Sequence, residues 1–268
     1  MKKINSEFKV TIIVVSLNTK KDFIKTIHSI KNQRFKNYEI IIVDGKSIDG
    51  TVEEIKKIKN KKTRYIIEKD KGIYDAMNKG IRMSKGNWII FMNSGDIFYN
   101  QNVLKNIFLQ KINNYDILYG DTLINNNFFN YRVKAQNFSK KTVLMPFCHQ
   151  SSVVKKKLLL KFNFLLKYRI SSDFDFFIKS FMSGFSFYNL NMIISKISSK
   201  GISDIERNQV YNENMNIIRA NNYKIFLILK IFLYKFLNFF KNLIRFVLPN
   251  SLILIILKLK YNKFLIQK

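Results

Sequence analysis

The most constraining feature of this chain is a series of short apolar runs in its first hundred residues. The first two, VTIIVVSL at Val10–Leu17 and EIIIV at Glu39–Val43, are rich in β-branched residues. Such runs are typical of strands that are buried on both faces of a sheet. Two more runs, Arg64–Glu68 and Trp88–Met92, predict a third and a fourth strand.

Segments with helical spacing separate these strands. We predict helices over Asp22–Gln33, Thr51–Ile58 and Ile73–Met83. Strands that alternate with helices at these intervals are typical of a mostly parallel, Rossmann-like α/β sheet. A fold of the α/β class is therefore predicted for this part of the chain.

The pattern loosens after residue 96. We predict a helix at Val103–Gln110, a strand at Asp116–Tyr119, a hairpin over Thr122–Val133, a helix at Ser171–Ser183, and a strand followed by a loop in Phe185–Ile197. The predicted domain division is a catalytic domain over 1–205, a linker or helix over 206–223, and a basic tail over 224–268.

The charge of the chain is unusual. Lys and Arg number 47 against 18 Asp and Glu, a formal net charge of +29. This excess suggests an anionic partner: nucleic acid, an acidic membrane leaflet or a phosphorylated ligand. An A/T-rich coding sequence would also favour lysine. One cysteine and two histidines exclude an internal disulfide and a cysteine-built or histidine-rich metal centre.

Polar residues follow each of the four predicted strands. Because ligands of open parallel sheets bind at the carboxyl ends of the strands, these residues are expected at one site. Carboxylates and amides gathered there suit a nucleoside and a metal-bound diphosphate, with Mg²⁺ or Mn²⁺ favoured over zinc. The absence of GxGxxG and P-loop motifs argues against a dehydrogenase or an ATPase. The residues are Ser16, Asn18, Asp44, Gly45, Asp70, Gly72, Asn93, Gly95 and Asp96.

Several motifs in this region resemble those of family 2 glycosyltransferases. The opening strand with Asn18 is followed by SIKNQ at Ser29–Gln33 and by VDGKSIDGT at Val43–Thr51. DKGIYDAMNKG at Asp70–Gly80 and FMNSGD at Phe91–Asp96 match a subset active in capsule, O-antigen or colanic-acid-type polysaccharide synthesis. The resemblance implies a GT-A fold that binds a nucleotide-diphospho-sugar and transfers the sugar with inversion.

The resemblance also implies roles for individual residues. Asp44 would hold the nucleobase, with Ser16 and Asn18 beside it, and Asp96 would meet a divalent cation, Mn or Mg. Asp173 would act as general base on the acceptor hydroxyl, and Asp175 stays open as the alternative base. Further residues expected at the nucleotide-sugar site are Gly45, Ser47, Asp70, Gly72, Asp75, Asn78, Asn93, Gly95, His149 and Gln150.

The same residues also have purely structural interpretations. Asp44-Gly45 and Asp49-Gly50 suit turns, because Asp and Gly are common turn residues. Asp173 suits the first turn of a helix, where the macrodipole stabilises a carboxylate. Asn93 and Gly95 stand where many relatives carry acids, so metal dependence is a weaker expectation than nucleotide binding.

The tail carries a second signal. Six polar residues, Lys230, Lys235, Asn238, Lys241, Asn242 and Arg245, fall within about 140° of a helical projection, and apolar residues fill the remainder. This predicts a basic amphipathic helix that anchors the protein at a membrane surface, ended by Pro249 and followed by the apolar stretch Leu252–Leu257. Packing on the catalytic domain or on a second subunit, as in a homodimer, is the alternative.

The sequence as a whole predicts an inverting glycosyltransferase, peripheral to the cytoplasmic face of the bacterial inner membrane. Its acceptor would be a saccharide, expected to be lipid-linked, in cell-surface polysaccharide synthesis. A basic nucleic-acid-binding protein is one alternative, but clustered arginines and stacking motifs are not evident, so no nucleic acid partner is expected. A nucleotidyltransferase would need a glycine-rich loop after the first strand, where Leu17–Lys20 has no glycine.

Overall fold

The computed structural model describes residues 9–58, 61–126, 128–199, 201–221 and 225–248, together with 252, 255, 256, 259, 265 and 266. The first part has the predicted alternation of strands and helices. Its elements are β1 (Val10–Ser16), α1 (Lys20–Lys31), β2 (Tyr38–Asp44), α2 (Thr51–Lys56), β3 (Thr63–Ile67), α3 (Ile73–Met83) and β4 (Trp88–Phe91).

The second part is more irregular. A 3-10 turn, His149–Ser151, precedes β8. The elements are β5 (Ile97–Phe98), α4 (Val103–Phe108), β6 (Ile117–Asn125), β7 (Asn130–Val133), β8 (Ser152–Lys155), α5 (Lys156–Lys161), α6 (Ser172–Met182), β9 (Phe187–Ser198), α7 (Ile202–Ile205), α8 (Arg207–Ala220), α9 (Ile225–Val247) and β10 (Leu265–Ile266).

Two of these strands differ from the sequence prediction. The predicted strand at Asp116–Tyr119 and the first arm of the hairpin form one continuous strand, β6. The hairpin itself lies where it was predicted, with Thr122 opposite Val133. The prediction of a loop at the end of Phe185–Ile197 is wrong, because β9 continues as a strand to Ser198. Pairing with β6 holds β9 extended on both sides of an irregularity opposite Tyr119–Asp121, where Asn191 of β9 has φ +52°.

The strands form one curled sheet in the order β10-β7-β6-β8-β4-β1-β2-β3. β1 pairs in parallel with β2 and β4, and β2 pairs in parallel with β3. The other half is mixed, since β8 joins β4 and β6 in antiparallel orientation while β9 runs parallel to β6. The parallel strands therefore present their carboxyl ends at one edge, where ligand sites of such sheets are found.

Both faces of the parallel half are covered by helices. Ile13 on one face of β1 packs in the core with α3 and α6, whereas Ile12 and Val14 on the other face pack with α1 and α4. All three are fully buried. Burial on both faces explains why β1 and β2 read as continuous apolar runs.

The C-terminal helices rest on this domain. α8, within the stretch predicted as a linker or helix, buries Ile217 and Ile218 in the core that contains α3 and α6. α9 packs on the domain through Leu227 and Ile231, each 1% exposed. The predicted break at Pro249 lies outside the described residues, as does part of Leu252–Leu257. Within the described chain, no helix is both long and apolar enough to cross a membrane.

Candidate active site

The end of β2 is tied to the end of β1 by a buried carboxylate. Asp44 is fully buried, and its Oδ2 accepts hydrogen bonds from the hydroxyls of Ser16 (2.8 Å) and Ser47 (2.7 Å). Its Oδ1 accepts the Ser47 N–H at 2.7 Å. Asn18 is linked to Asp44 through Ser47. Its N–H donates to Ser47 Oγ, and its Oδ1 accepts the Ile48 N–H. These residues meet as predicted, and they use their polar atoms to shape the loop after β2.

A second group of charges lies beside this loop, after β3. A Cβ atom placed on Gly45 would lie 3.2 Å from Asp70 Oδ2, so the two positions are adjacent. Lys79 Nζ lies 2.6 Å from Asp70, 2.8 Å from Glu68 and 3.4 Å from Asp75. Burial raises the pKa of Asp70 and outweighs the opposing effect of Lys79. Burial disfavours the charge of Lys79, but the hydrogen bonds with Asp70 and Glu68 raise its pKa above the usual value.

The turn into α3 is shaped by Gly72 and Asp75. Gly72 has φ +115°, a conformation that glycine adopts readily. Asp75 Oδ2 accepts the Lys71 N–H at 3.0 Å, and this bond is the largest cause that lowers the pKa of Asp75. Both residues therefore fix the backbone between β3 and α3.

Asn78, a further predicted site residue, is engaged elsewhere. Its Nδ2 donates to the carbonyl of Phe164 at 2.8 Å, and its Oδ1 accepts the Phe164 N–H at 3.1 Å. The side chain is buried, and both ends of the amide are used. Asn78 therefore fastens α3 to the segment between α5 and α6.

The end of β4 supplies a buried carboxylate of a different kind. Asp96 is 9% exposed, and burial raises its pKa to about 7 against the lowering effects of His149 and of a hydrogen bond with Gln150. Nearby, the Oδ1 atom of Asn93 is buried and has no hydrogen-bond partner. Gly95 holds the turn between them at φ +104°. The turn after β4 therefore combines a buried carboxylate with one buried oxygen whose bonding capacity is unused.

Asp173 lies in the first turn of α6 and is 8% exposed. His149 Nδ1 lies 3.1 Å from its Oδ2. Its Oδ1 accepts the Phe174 N–H at 2.9 Å and lies 3.0 Å from the hydroxyl of Tyr74. Asp175, the alternative base, is instead paired with Lys179 at 2.6 Å and is 2% exposed. Within the described part of the chain, the Asp173 carboxylate contacts His149, whereas the Asp175 carboxylate contacts Lys179.

His149 lies between the carboxylates of Asp96 and Asp173. Its Nδ1 faces Asp173, while its Nε2 lies 3.4 Å from Asn93 Nδ2. It also interacts electrostatically with Asp96, to which Gln150 is hydrogen-bonded. The His-Gln pair therefore lies between the end of β4 and the start of α6, where a reacting centre would be flanked by Asp96 and Asp173.

The oxygen donors at β4 fit a divalent cation that takes most of its ligands from a substrate. No cluster of three or more His, Cys, Asp or Glu side chains suited to a metal occurs among the described residues. Asp96, which is hydrogen-bonded to Gln150, and the unpartnered Asn93 Oδ1 nevertheless lie in the same turn after β4. Mg²⁺ is commonly held by one or two carboxylates, waters and substrate phosphates, so such a sparse set suffices.

Three residues that contribute to this arrangement were not predicted individually. Tyr74 and Lys79 lie inside the DKGIYDAMNKG motif, and the cluster of acids around Lys79 is the signal that could have pointed to it. Glu213 of α8 accepts three backbone N–H groups just before α6. No motif marks it, because its partners lie more than 40 residues away.

The fold matches solved structures, among them that of a mannosyltransferase. The S. aureus TarS 1-349 structure in complex with UDP superposes with a TM-score of 0.59 at 17% identity, covering 81% of this chain and 67% of that one. The mannosyltransferase PcManGT from Pyrobaculum calidifontis, in complex with GDP-Man and Mn²⁺, gives 0.62 at 14% identity, covering 80% and 64%. At these identities the likeness establishes the fold, which is the GT-A fold that was predicted.

Sequence comparison identifies the family. A PGL/p-HBAD biosynthesis glycosyltransferase of Mycobacterium bovis BCG is 30% identical over 178 residues, 64% of this chain and 69% of that protein. Residues 11–192 match the model of "Glycosyl transferase family 2". Fold and sequence together define a glycosyltransferase of the GT-A class. The chain belongs to glycosyl transferase family 2, as its motifs predicted.

Proposed function

We propose that this enzyme transfers a sugar from a nucleotide-diphospho-sugar to a hydroxyl of a saccharide, with inversion at the anomeric carbon. The observation that carries the proposal is the placement of Asp173. Its carboxylate is buried, contacts His149, and lies across that histidine from Asp96 at the carboxyl edge of the parallel sheet.

In the proposed reaction Asp173 is the general base. A carboxylate oxygen of Asp173 takes the proton of the acceptor hydroxyl as that oxygen forms a bond to the anomeric carbon. The bond between the anomeric carbon and the diphosphate oxygen breaks, and the nucleoside diphosphate leaves with that electron pair. Because His149 and Tyr74 already contact the carboxylate, its orientation is fixed before the acceptor arrives.

A divalent cation, Mn²⁺ or Mg²⁺, would be held by Asp96, with Asn93 Oδ1 beside it. When bound, it would stabilise the negative charge that develops on the departing diphosphate. The proposal is supported by the buried, unpartnered Asn93 oxygen and by PcManGT, a protein of the same fold whose structure contains Mn²⁺.

The donor nucleotide is proposed to lie along the ends of β1, β2 and β3. The absence of a side chain at Gly45 lets the backbone approach Asp70, because a Cβ there would lie 3.2 Å from Asp70 Oδ2. Asp44 organises the loop through Ser16 and Ser47. Since Asp44 is fully buried, we propose that its contribution to holding the nucleobase depends on this loop. TarS and PcManGT were solved with UDP and GDP-Man, which supports a nucleotide-sugar donor.

The acceptor is proposed to be a lipid-linked saccharide, used in the synthesis of a cell-surface polysaccharide or glycolipid. The named function of the mycobacterial relative, PGL/p-HBAD biosynthesis, supports this class of product. The exposed face of α9 supports a membrane location. Its residues Leu229 and Phe239 are 64% and 63% exposed, although both are strongly apolar.

The orientation of α9 supports a role in membrane binding. Exposed apolar residues cover about 160° of its circumference, at 100° per residue. The polar side faces the domain, where Lys230 Nζ donates to the Lys141 carbonyl and Lys235 Nζ donates to Asn212 Oδ1. We therefore propose that the apolar face inserts at the cytoplasmic surface of the bacterial inner membrane. The face consists of Phe226, Leu229, Phe232, Leu233, Phe236, Leu237, Phe239, Phe240 and Leu243.

Donor binding tests the proposed function most simply. Purified protein is heated with UDP-, GDP- and dTDP-sugars, each with and without Mn²⁺, and the melting temperature is recorded. At least one nucleotide class should raise the melting temperature, because a ligand that binds only the folded state stabilises it. The same panel with Asp96→Ala should lose the Mn²⁺-dependent part of the shift. No shift with any donor would contradict the assignment.

A further inference from the structure

The start of α6 is held by a carboxylate from another helix. Glu213 of α8 is 8% exposed, and its Oε1 accepts the Arg169 N–H at 3.0 Å. Its Oε2 accepts the N–H groups of Ile170 (3.0 Å) and Ser171 (2.8 Å). One side chain therefore binds three consecutive backbone N–H groups immediately before the helix that carries Asp173.

No hydroxyl cap performs this function. Ser171 occupies the N-cap position of α6 but makes no side-chain capping hydrogen bond. A buried carboxylate is costly unless its oxygens are hydrogen-bonded, and the backbone donors together with Gln209 Nε2 (3.0 Å) meet that need. Glu213 thus replaces a local cap with an anchor between two helices.

Tyr74 links this anchored segment to the carboxylate of Asp173. Its hydroxyl oxygen lies 2.6 Å from the carbonyl oxygen of Ile170 and 3.0 Å from Asp173 Oδ1. The ring is 5% exposed, and it packs against Phe164 with centroids 5.3 Å apart. The hydroxyl therefore has a fixed position between the backbone that Glu213 holds and the proposed base.

We propose that Tyr74 and Glu213 are positioning residues that set the orientation of the Asp173 carboxylate. Glu213 fixes the backbone of residues 169–171, and Tyr74 connects the Ile170 carbonyl to Asp173 Oδ1. The inference rests on the proposed function, in which Asp173 is the base. Glu213 lies outside the segment that matches the family model, residues 11–192, so α8 contributes to the site from beyond that segment.

Two variants that retain the shape of the side chain test the proposal. Tyr74→Phe removes the hydroxyl and keeps the ring, and Glu213→Gln removes the charge and one acceptor. Matched controls are Tyr38→Phe, a buried tyrosine whose hydroxyl donates to the Ile30 carbonyl, and Glu206→Gln, which breaks an exposed ion pair with the Arg169 side chain.

The readout is release of nucleoside diphosphate from the donor that stabilises the wild type, with water as acceptor, well below each variant's melting temperature. Each test variant should lower kcat about tenfold and leave the donor KM unchanged, because a carboxylate held less firmly is in the reactive orientation less often while the donor site keeps its shape. The double variant should lower kcat by less than the product of the two effects, since both act on one carboxylate. The controls should keep the wild-type kcat.

Hydrogen exchange provides a measurement that does not depend on turnover. Glu213→Gln should accelerate exchange of the amides of residues 169–171, and Glu206→Gln should leave them unchanged. If both test variants had lowered melting temperatures but wild-type kcat, the proposal would be overturned, and Tyr74 and Glu213 would have only a structural role. Unchanged amide exchange in Glu213→Gln would overturn the anchoring step. Full activity of Asp173→Asn would instead refute the assignment of Asp173 as the base. Failure of the positioning proposal can therefore be distinguished from failure of the proposed function.

Discussion

At the scale of single residues, the site contains two kinds of polar group. Some use their hydrogen-bonding capacity within the protein, and others keep part of it free for a ligand. Asp44 and Asn78 have their polar atoms committed to the protein itself. Asp96 is buried with a raised pKa, and beside it the buried Oδ1 atom of half-buried Asn93 has no hydrogen-bond partner. The sequence motifs predict that these residues share one site at this edge of the sheet. They could not distinguish the two kinds, because a distant partner such as Phe164 leaves no local pattern.

Asn78 gives a direct test of this distinction. Asn78→Ala should lower the free energy of unfolding by about 1–3 kcal/mol, because the buried N–H and carbonyl of Phe164 both lose their partner. Donor affinity, measured by calorimetry on the folded variant, should stay within about twofold of the wild type. A large loss of donor affinity at unchanged stability would instead place Asn78 in the nucleotide site.

Asp96 should make stability depend on pH. Its folded pKa, about 7, lies above the value of an unfolded aspartate, so its contribution to stability is present below about pH 4 and is lost as the pH rises towards 7. In EDTA, Asp96→Asn should therefore match the wild type at low pH and become more stable by roughly 3–4 kcal/mol above pH 7. Denaturant unfolding of both proteins across this range measures the difference. Parallel pH curves would contradict the shift.

At the scale of elements, α3 contacts three neighbours: the segment around α6, the loop after β3, and β1. Tyr74 and Asn78, four residues apart, face the segment around α6, while Asp75 and Lys79 face the loop after β3. This spacing places each pair on one side of the helix. Gly80 lies against β1, where an added Cβ would be 2.6 Å from Ile13 Cγ2. The helix was predicted with its observed bounds, but the role of each face depends on packing.

Substitution of Gly80 tests the close packing of α3 on β1. Gly80→Ala should destabilise the fold by about 1–3 kcal/mol, because a fully buried isoleucine has no space to move away from the new methyl group. The control is Gly201→Ala, where nothing lies within 4 Å and φ is −68°. Thermal unfolding of both variants gives the comparison. Equal melting temperatures for the two variants would contradict the packing argument.

The parallel strands could be predicted from the sequence more accurately than the later elements, and burial explains the difference. β1 and β2 are buried on both faces, so each has a continuous apolar segment, Ile12–Val15 in β1 and Ile40–Val43 in β2. β8 is a four-residue strand, and β9 owes its full length to pairing with β6. Such long-range pairing leaves little trace in the local sequence.

At the scale of the whole molecule, the net charge of +29 and the outward apolar face of α9 point to the same kind of partner. An acidic bilayer offers an apolar interior for the exposed face and negative headgroups for nearby lysines, each worth about 1 kcal/mol near the surface. The sequence predicted the amphipathic helix correctly. It could not predict that the polar side would lie against the domain, because hydrogen bonds to Lys141 and Asn212 determine this orientation.

Membrane binding can be measured by sedimentation with vesicles. The wild type should bind vesicles that contain phosphatidylglycerol more tightly than pure phosphatidylcholine, and binding should weaken as salt increases. Phe236→Glu combined with Leu237→Glu should reduce binding at least tenfold, because both side chains lie on the exposed apolar face. Asn242→Glu, on the polar side, is the control for added charge.

A concentration-dependent dimer would contradict the membrane proposal if vesicle binding were absent. In that case Phe236→Glu with Leu237→Glu should convert the dimer to a monomer, and a second copy of the chain would be the partner of α9. Analytical ultracentrifugation of the wild type and the double variant distinguishes this outcome from insertion into a bilayer.

The measurement that tests the central claim most directly compares Asp173→Asn with Asp175→Asn. Both donor binding and release of nucleoside diphosphate are recorded for the donor that stabilises the wild type. We predict that Asp173→Asn binds the donor normally and loses turnover by at least about a hundredfold, because the base is gone while the site keeps its shape. Asp175→Asn, altered at a carboxylate paired with Lys179, should remain active. Normal turnover in Asp173→Asn, with loss of activity in Asp175→Asn, would contradict the account.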